Sequence, residues 1–199
     1  MNESTCLTTT AKVAILVPKT NSGFFTAVSL KNYLQIKLGI TEILVIEVIP
    51  CQLRQVKIPN SIEELYVGGL GVKNCHQPAI ISFIEEHDAK IMLWADNHPE
   101  GKHLEALKAK NQAYLHASDK KNPSCAALLN KKLGESIKPE WVEAANHFEN
   151  PLQYPSAHLA NAYKKLTTSA NGQLAQIKEL FSQHLLQGSP SLEEIAEIK

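Results

Sequence analysis

The chain has 199 residues, 44% of them hydrophobic, and its 20 basic and 20 acidic side chains cancel. That length suits one domain with a sizeable core and a small terminal addition, while zero net charge gives no strong pull toward nucleic acid or an anionic membrane surface. No apolar run approaches the ~20 residues of a membrane span, the start MNESTCLTTTAK lacks a signal-peptide core, and Cys6, Cys51, Cys75 and Cys125 form no CxxC pair, so the expected setting is cytoplasmic, with reduced packing thiols.

After a polar leader over 1–10, Lys12 to Val17 is an apolar, β-branched run stopped by Pro18, the form of a buried first strand. A loop from Lys19 to Gly23 leads to a helix in which Ala27, Leu30, Leu34 and Leu38 share a face. Ser22 is placed to cap it and Gly39 to close it. Ile43 to Ile49, stopped by Pro50, is a second strand, and Leu65 to Val67 a third, with a polar, irregular stretch from Arg54 to Glu63 between them. Pro78 opens a helix carrying Ile80, Phe83 and Ile84, and Ile91 to Trp94 is a fourth strand, too short for a free helix and apolar throughout. Pro99 to Lys110 reads as a helix, Ala113 to Leu115 as a short fifth strand, and Ser124 to Leu133 as a helix capped by Ser124 and ended by Gly134.

Strands alternating with helices predict an α/β fold with a doubly wound, mainly parallel five-stranded sheet flanked by helices. From about Pro139 the pattern is wholly helical: Trp141 to Phe148, Ala157 to Leu166, Leu174 to Leu186 and Leu192 to Ile198, with Leu174, Ile177 and Phe181 on one face. The expected division is an α/β domain over 1–150 and a helical C-terminal extension over 151–199, packed on or beside it.

In open α/β sheets the ligand crevice lies beyond the carboxyl ends of the strands. Asp96, Asn97 and His98 close strand four there, and His103 on the next helix is placed to face the same crevice. A carboxylate beside an imidazole can orient it or position a water. Asn21, Ser22 and Gly23 lie in the loop before the first helix, whose positive N-terminus suits an anion, although the spacing is not that of a P-loop; an ordinary capped turn is the competing reading. The run Gly68-Gly69-Leu70-Gly71 does not complete a dinucleotide fingerprint and suits close packing of helix on sheet.

In order and spacing, Lys12 to Phe148 resembles the N-terminal domain of the DHH phosphoesterase superfamily, which includes manganese-dependent pyrophosphatases, exopolyphosphatases, single-strand exonucleases and nano-RNA or cyclic-dinucleotide phosphodiesterases. The family's DxDG loop falls on Thr20-Asn21-Ser22-Gly23, its lone aspartate on Gly69, its Asp-His-His-Pro signature on Asp96-Asn97-His98-Pro99, and its Ser-Cys-Ala helix start on Ser124, Cys125 and Ala126. A last family aspartate falls within Asn146 to Asn150, where Glu149 is the nearest substitute. The resemblance implies strand order 2-1-3-4-5 and, in the family, a manganese or magnesium site.

Here Thr20, Ser22, Gly69 and Asn97 stand where the family has metal ligands, and neutral side chains cannot replace that charge. The expectation is therefore a degenerate, pseudoenzyme-like member with no metal cofactor. It would bind a phosphorylated small molecule, a nucleotide-like ligand or a protein partner at a crevice formed by Asn21, Ser22, Gly23, Gly69, Asp96, Asn97, His98 and His103. Two alternatives stay open: a phosphohydrolase rearranged around catalytic Asp96 and His98, with manganese or magnesium as cofactor, and a structural subunit of a homo-oligomer.

Overall fold

The computed structural model describes residues 10–71, 77–98, 114–116, 122–134, 137–155, 158–170, 172–188 and 191–197. The leader before Thr10, the helix expected from Pro99 to Lys110 and His103 lie outside them. The sheet is built from four full strands, β1 (Val13–Pro18), β2 (Ile43–Val48), β3 (Glu64–Gly68) and β4 (Ile91–Asp96), parallel and in the order β2-β1-β3-β4. Tyr114–His116, labelled β5, runs parallel to the outer edge of β4 in register Trp94↔Tyr114 to Asp96↔His116. Of the five strands expected from the sequence, four are full strands, and the short fifth expected at Ala113 to Leu115 is only a three-residue edge segment, Tyr114–His116.

The first apolar run becomes strand β1 because both of its faces are buried. Val13, Ile15 and Val17 of β1 enter one apolar cluster, and Ala14 and Leu16 enter the other. A strand covered on both sides needs no polar alternation, which is why this segment reads as a continuous hydrophobic run.

The first cluster holds α1 (Asn21–Leu38) between the sheet and the helices α3 (Cys125–Leu133), α4 (Pro139–Glu149), α5 (His158–Thr168), α6 (Leu174–Gln187) and α7 (Leu192–Ala196). Its centre is aromatic. The Phe24 ring stacks on Tyr163 of α5 at 4.6 Å, and Phe181 of α6 meets Tyr163 edge-on at 5.5 Å. Each such side chain contributes roughly 1.5–3 kcal/mol by burial, so the C-terminal helices share one core with the sheet and α1. The second cluster covers the other face with α2 (Gln77–His87) and a 3-10 helix, Pro50–Gln55, which ends just inside the irregular stretch from Arg54 to Glu63.

Four local expectations change. Asn21 already begins α1, so the loop from Lys19 to Gly23 shrinks to Lys19 and Thr20. The cap is Thr20, whose Oγ1 accepts from the Gly23 amide at 3.0 Å, and Ser22 lies inside the helix. Leu174 is 40% exposed while Ile177, Phe181 and Leu185 are buried, because the buried stripe of α6 starts one turn later than its apolar pattern. Strand β4 runs on past Trp94 to Asp96.

Candidate functional site

Every described strand end except that of β5 contributes to one crevice. It is a cavity of about 570 Å³ lined by Pro18 after β1, Pro50 after β2, Gly69 and Gly71 after β3, and His98 after β4. Thr20, Asn21 and Ser22 at the start of α1 and Phe148 and Glu149 at the end of α4 complete the wall.

The start of α1 presses directly on the end of β1. A Cβ on Gly23 would stand 2.0 Å from the Pro18 carbonyl oxygen, so only glycine permits this approach. Gly23 therefore shapes the crevice without lining it. The first amides of a helix lack intrahelical partners and point out of its N-terminus, and here Gly23 N–H is taken by Thr20.

Strand β4 ends in a local unit. Asp96 is fully buried, and its Oδ1 accepts from the His98 amide at 3.1 Å and from His98 Nδ1 at 2.7 Å. The two acceptances orient the ring and compensate part of the cost of burying a carboxylate. Among the described residues Asp96 Oδ2 has no hydrogen-bond partner. The imidazole in turn packs on Gly71, where a Cβ would come within 2.2 Å of His98 Nδ1. Asp96 thus stands behind the crevice wall and His98 in it. Asn97 turns aside, its Nδ2 donating to the Pro123 carbonyl at 3.4 Å.

Beneath Gly69 lies Cys125, fully buried at the start of α3. Burial, and then the charge of Asp96, push its thiol well above the ordinary range, so it stays protonated and donates to the Ala95 carbonyl at 3.3 Å. It is a packing thiol, not a nucleophile.

Glu149 arrives from the far end of the chain. Ser124 Oγ donates to Asn146 Oδ1 at 2.6 Å, tying the start of α3 to α4, and Phe148 stacks on Phe25 at 6.0 Å. These contacts set the last turn of α4 against α1, where Ser22 Oγ donates to Glu149 Oε1 at 2.6 Å.

Of the expected site residues, Asn21, Ser22, Gly69 and His98 line the crevice, Gly23 and Asp96 support it, Asn97 faces Pro123, and His103 lies outside the described residues. Pro18, Pro50, Gly71 and Phe148 join the wall without having been singled out as site residues. The signal for the two prolines was present, since each ends a strand and neighbouring strand ends open on a common crevice.

The metal site implied by the DHH resemblance does not fit these donors. Thr20 Oγ1 is committed to Gly23, Ser22 Oγ to Glu149, and Gly69 offers no side chain. Among the described residues no group of three His, Cys, Asp or Glu side chains converges to hold a metal ion.

No family model and no curated protein matches the chain. Among solved structures it is similar to an uncharacterized protein from Helicobacter pylori G27, at 12% identity and a TM-score of 0.45, over 93% of this chain and 67% of that one. Among the described residues no helix is long and apolar enough to cross a membrane.

Proposed function

We propose that the crevice binds a phosphorylated or nucleotide-like small molecule, and that the chain is a DHH-phosphoesterase-like protein without metal-dependent hydrolysis. The observation that carries this reading is the convergence, around one cavity of about 570 Å³, of the α1 N-terminus at Asn21 and Ser22 with the His98 imidazole. A helix N-terminus favours negative charge, and an imidazolium held by a carboxylate adds a positive partner for it. A cavity of this size is within the range that holds a small ligand.

The test is a thermal shift of the full chain with inorganic phosphate, adenosine monophosphate and a cyclic dinucleotide. A ligand at about 100 times its Kd adds roughly 2.7 kcal/mol, a rise of several degrees in Tm. The rise should be lost in His98→Ala and should weaken as pH climbs through the imidazole range, where the positive partner disappears. Absence of any shift at millimolar concentrations of all three probes would overturn the reading.

A second reading draws on the Asp96–His98 pair at 2.7 Å and the presence of Glu149 in the same crevice, which together offer an oriented imidazole and a second carboxyl group for proton transfer. It requires turnover of an activated phosphodiester, with or without added manganese, that disappears in His98→Ala and Glu149→Gln. Turnover surviving both substitutions would dismiss it.

A further inference from the structure

Among the described residues the charge and donor inventory of the crevice is lopsided. Among the described residues no Lys or Arg lines it, and Glu149 has no ion-pair partner. The first turn of α1 carries no acidic residue of its own, so the Glu149 carboxylate, brought from α4, is the negative charge that its N-terminus meets. The Ser22 hydroxyl proton is spent on Glu149, which leaves Ser22 able only to accept. Two acceptor groups therefore stand side by side, 2.6 Å apart, in the wall that also holds His98.

A bare phosphate finds a like charge at that corner, whereas neighbouring hydroxyls of a sugar find two acceptors. We propose that Glu149, held by Ser22, is the specificity-determining residue of the crevice: it accepts hydrogen bonds from adjacent hydroxyls of a sugar phosphate and repels inorganic phosphate. The inference rests on the crevice being the ligand site and adds which part of the ligand is read. A carboxylate that only capped α1 would leave ligand choice unaffected, and this distinguishes the two roles.

The experiment is calorimetric titration of the full chain with inorganic phosphate, ribose 5-phosphate and 2-aminoethyl phosphate, for the natural sequence, Glu149→Gln and Ser22→Ala. Glutamine keeps an acceptor for Ser22 and removes the charge, so the fold is preserved and its Tm provides the check. The natural chain should favour ribose 5-phosphate over phosphate by about tenfold or more, on the scale of one or two charge-assisted hydrogen bonds. Glu149→Gln should weaken ribose 5-phosphate by about five- to tenfold and tighten inorganic phosphate by a few-fold, because repulsion between like charges is relieved. Ser22→Ala, which releases the carboxylate from its fixed position, should lower the sugar preference by a smaller factor. The proposal is overturned if Glu149→Gln shifts both ligands alike or neither, or if the amine-bearing phosphate outcompetes the sugar; the crevice reading would survive these results. If none of the three probes binds the natural chain, the sugar-phosphate proposal falls, while the crevice reading falls only if adenosine monophosphate and the cyclic dinucleotide fail to bind as well.

Discussion

Adding a single methyl group at Gly23 tests the frame on which the crevice is built. An ideal Cβ at that position lies 2.0 Å from the Pro18 carbonyl oxygen and 3.0 Å from its carbon. Ordinary carbon–oxygen contacts begin near about 3.3 Å, so Gly23→Ala requires the first turn of α1 and the end of β1 to separate by more than about 1 Å. Both obstacles are backbone, which no rotamer change can relieve. Overpacking of this kind costs about 1–3 kcal/mol, and each kcal/mol lowers Tm by roughly 2–4 °C in a chain of this size. The variant should melt about 3–10 °C lower, with Ser22 drawn away from Glu149 and any crevice ligand weakened. Gly39→Ala is the control. Gly39 has φ 68° and nothing within 4 Å of an added Cβ, so alanine there pays only the left-handed backbone penalty of about 1–2 kcal/mol and leaves the crevice intact. Circular-dichroism melts with and without ligand read both effects. A Gly23→Ala protein that melts within about 1 °C of the natural chain and binds equally well would refute the argument that this close approach builds the site.

Tyr163→Phe should stabilise the fold, because the phenol is fully buried and its hydroxyl has no partner among the described residues; relief of an unsatisfied group of this kind is worth about 1–3 kcal/mol, and a lower denaturant midpoint in the variant would contradict it. Burial, and then the Glu47 charge, hold that phenol far above its ordinary pKa, so spectroscopic titration should find it ionising only as the chain unfolds. Burial, with Lys90 adding to it and Glu86 opposing, lowers the His87 pKa below 6.5. The folded state then binds fewer protons there than the unfolded state, so the His87 contribution to stability is complete above about pH 6.5 and is lost as the pH falls through the depressed pKa. His87→Gln should flatten that part of the pH–stability curve, and an unchanged slope would count against it.

The strands and helix ends were legible because the physics behind them is local. Val13 to Val17 reads as a strand from composition alone, since a strand with both faces covered shows a continuous apolar run. Gly39 and Gly134 stop their helices with left-handed backbone, and Ser124 caps α3 by accepting from the Ala127 amide at 3.1 Å. Thr20 and Ser22 show where local rules stop. Either hydroxyl can cap a helix, and the choice of Thr20 is made by Pro18, whose carbonyl takes the Thr20 amide at 2.7 Å and admits only a residue without a Cβ at position 23. That constraint joins a strand end to a helix start and leaves no periodic trace in the sequence.

The site divides in the same way. Asp96 and His98 are two residues apart, and a short carboxylate can fold back on the amide two positions ahead, so their pairing follows from the loop itself. What the imidazole then faces does not, because Gly71 must come close enough that even a methyl group would collide with the ring. Ser22 and Glu149 are 127 positions apart, and their bond exists only because Phe148 stacks on Phe25 and Asn146 is fastened to Ser124, two contacts that turn the end of α4 toward α1. An isolated Glu at a helix C-terminus is disfavoured by the dipole of its own helix. Its place becomes favourable once the positive end of α1 is set against it, so the position of Glu149 in the crevice wall is decided by tertiary packing.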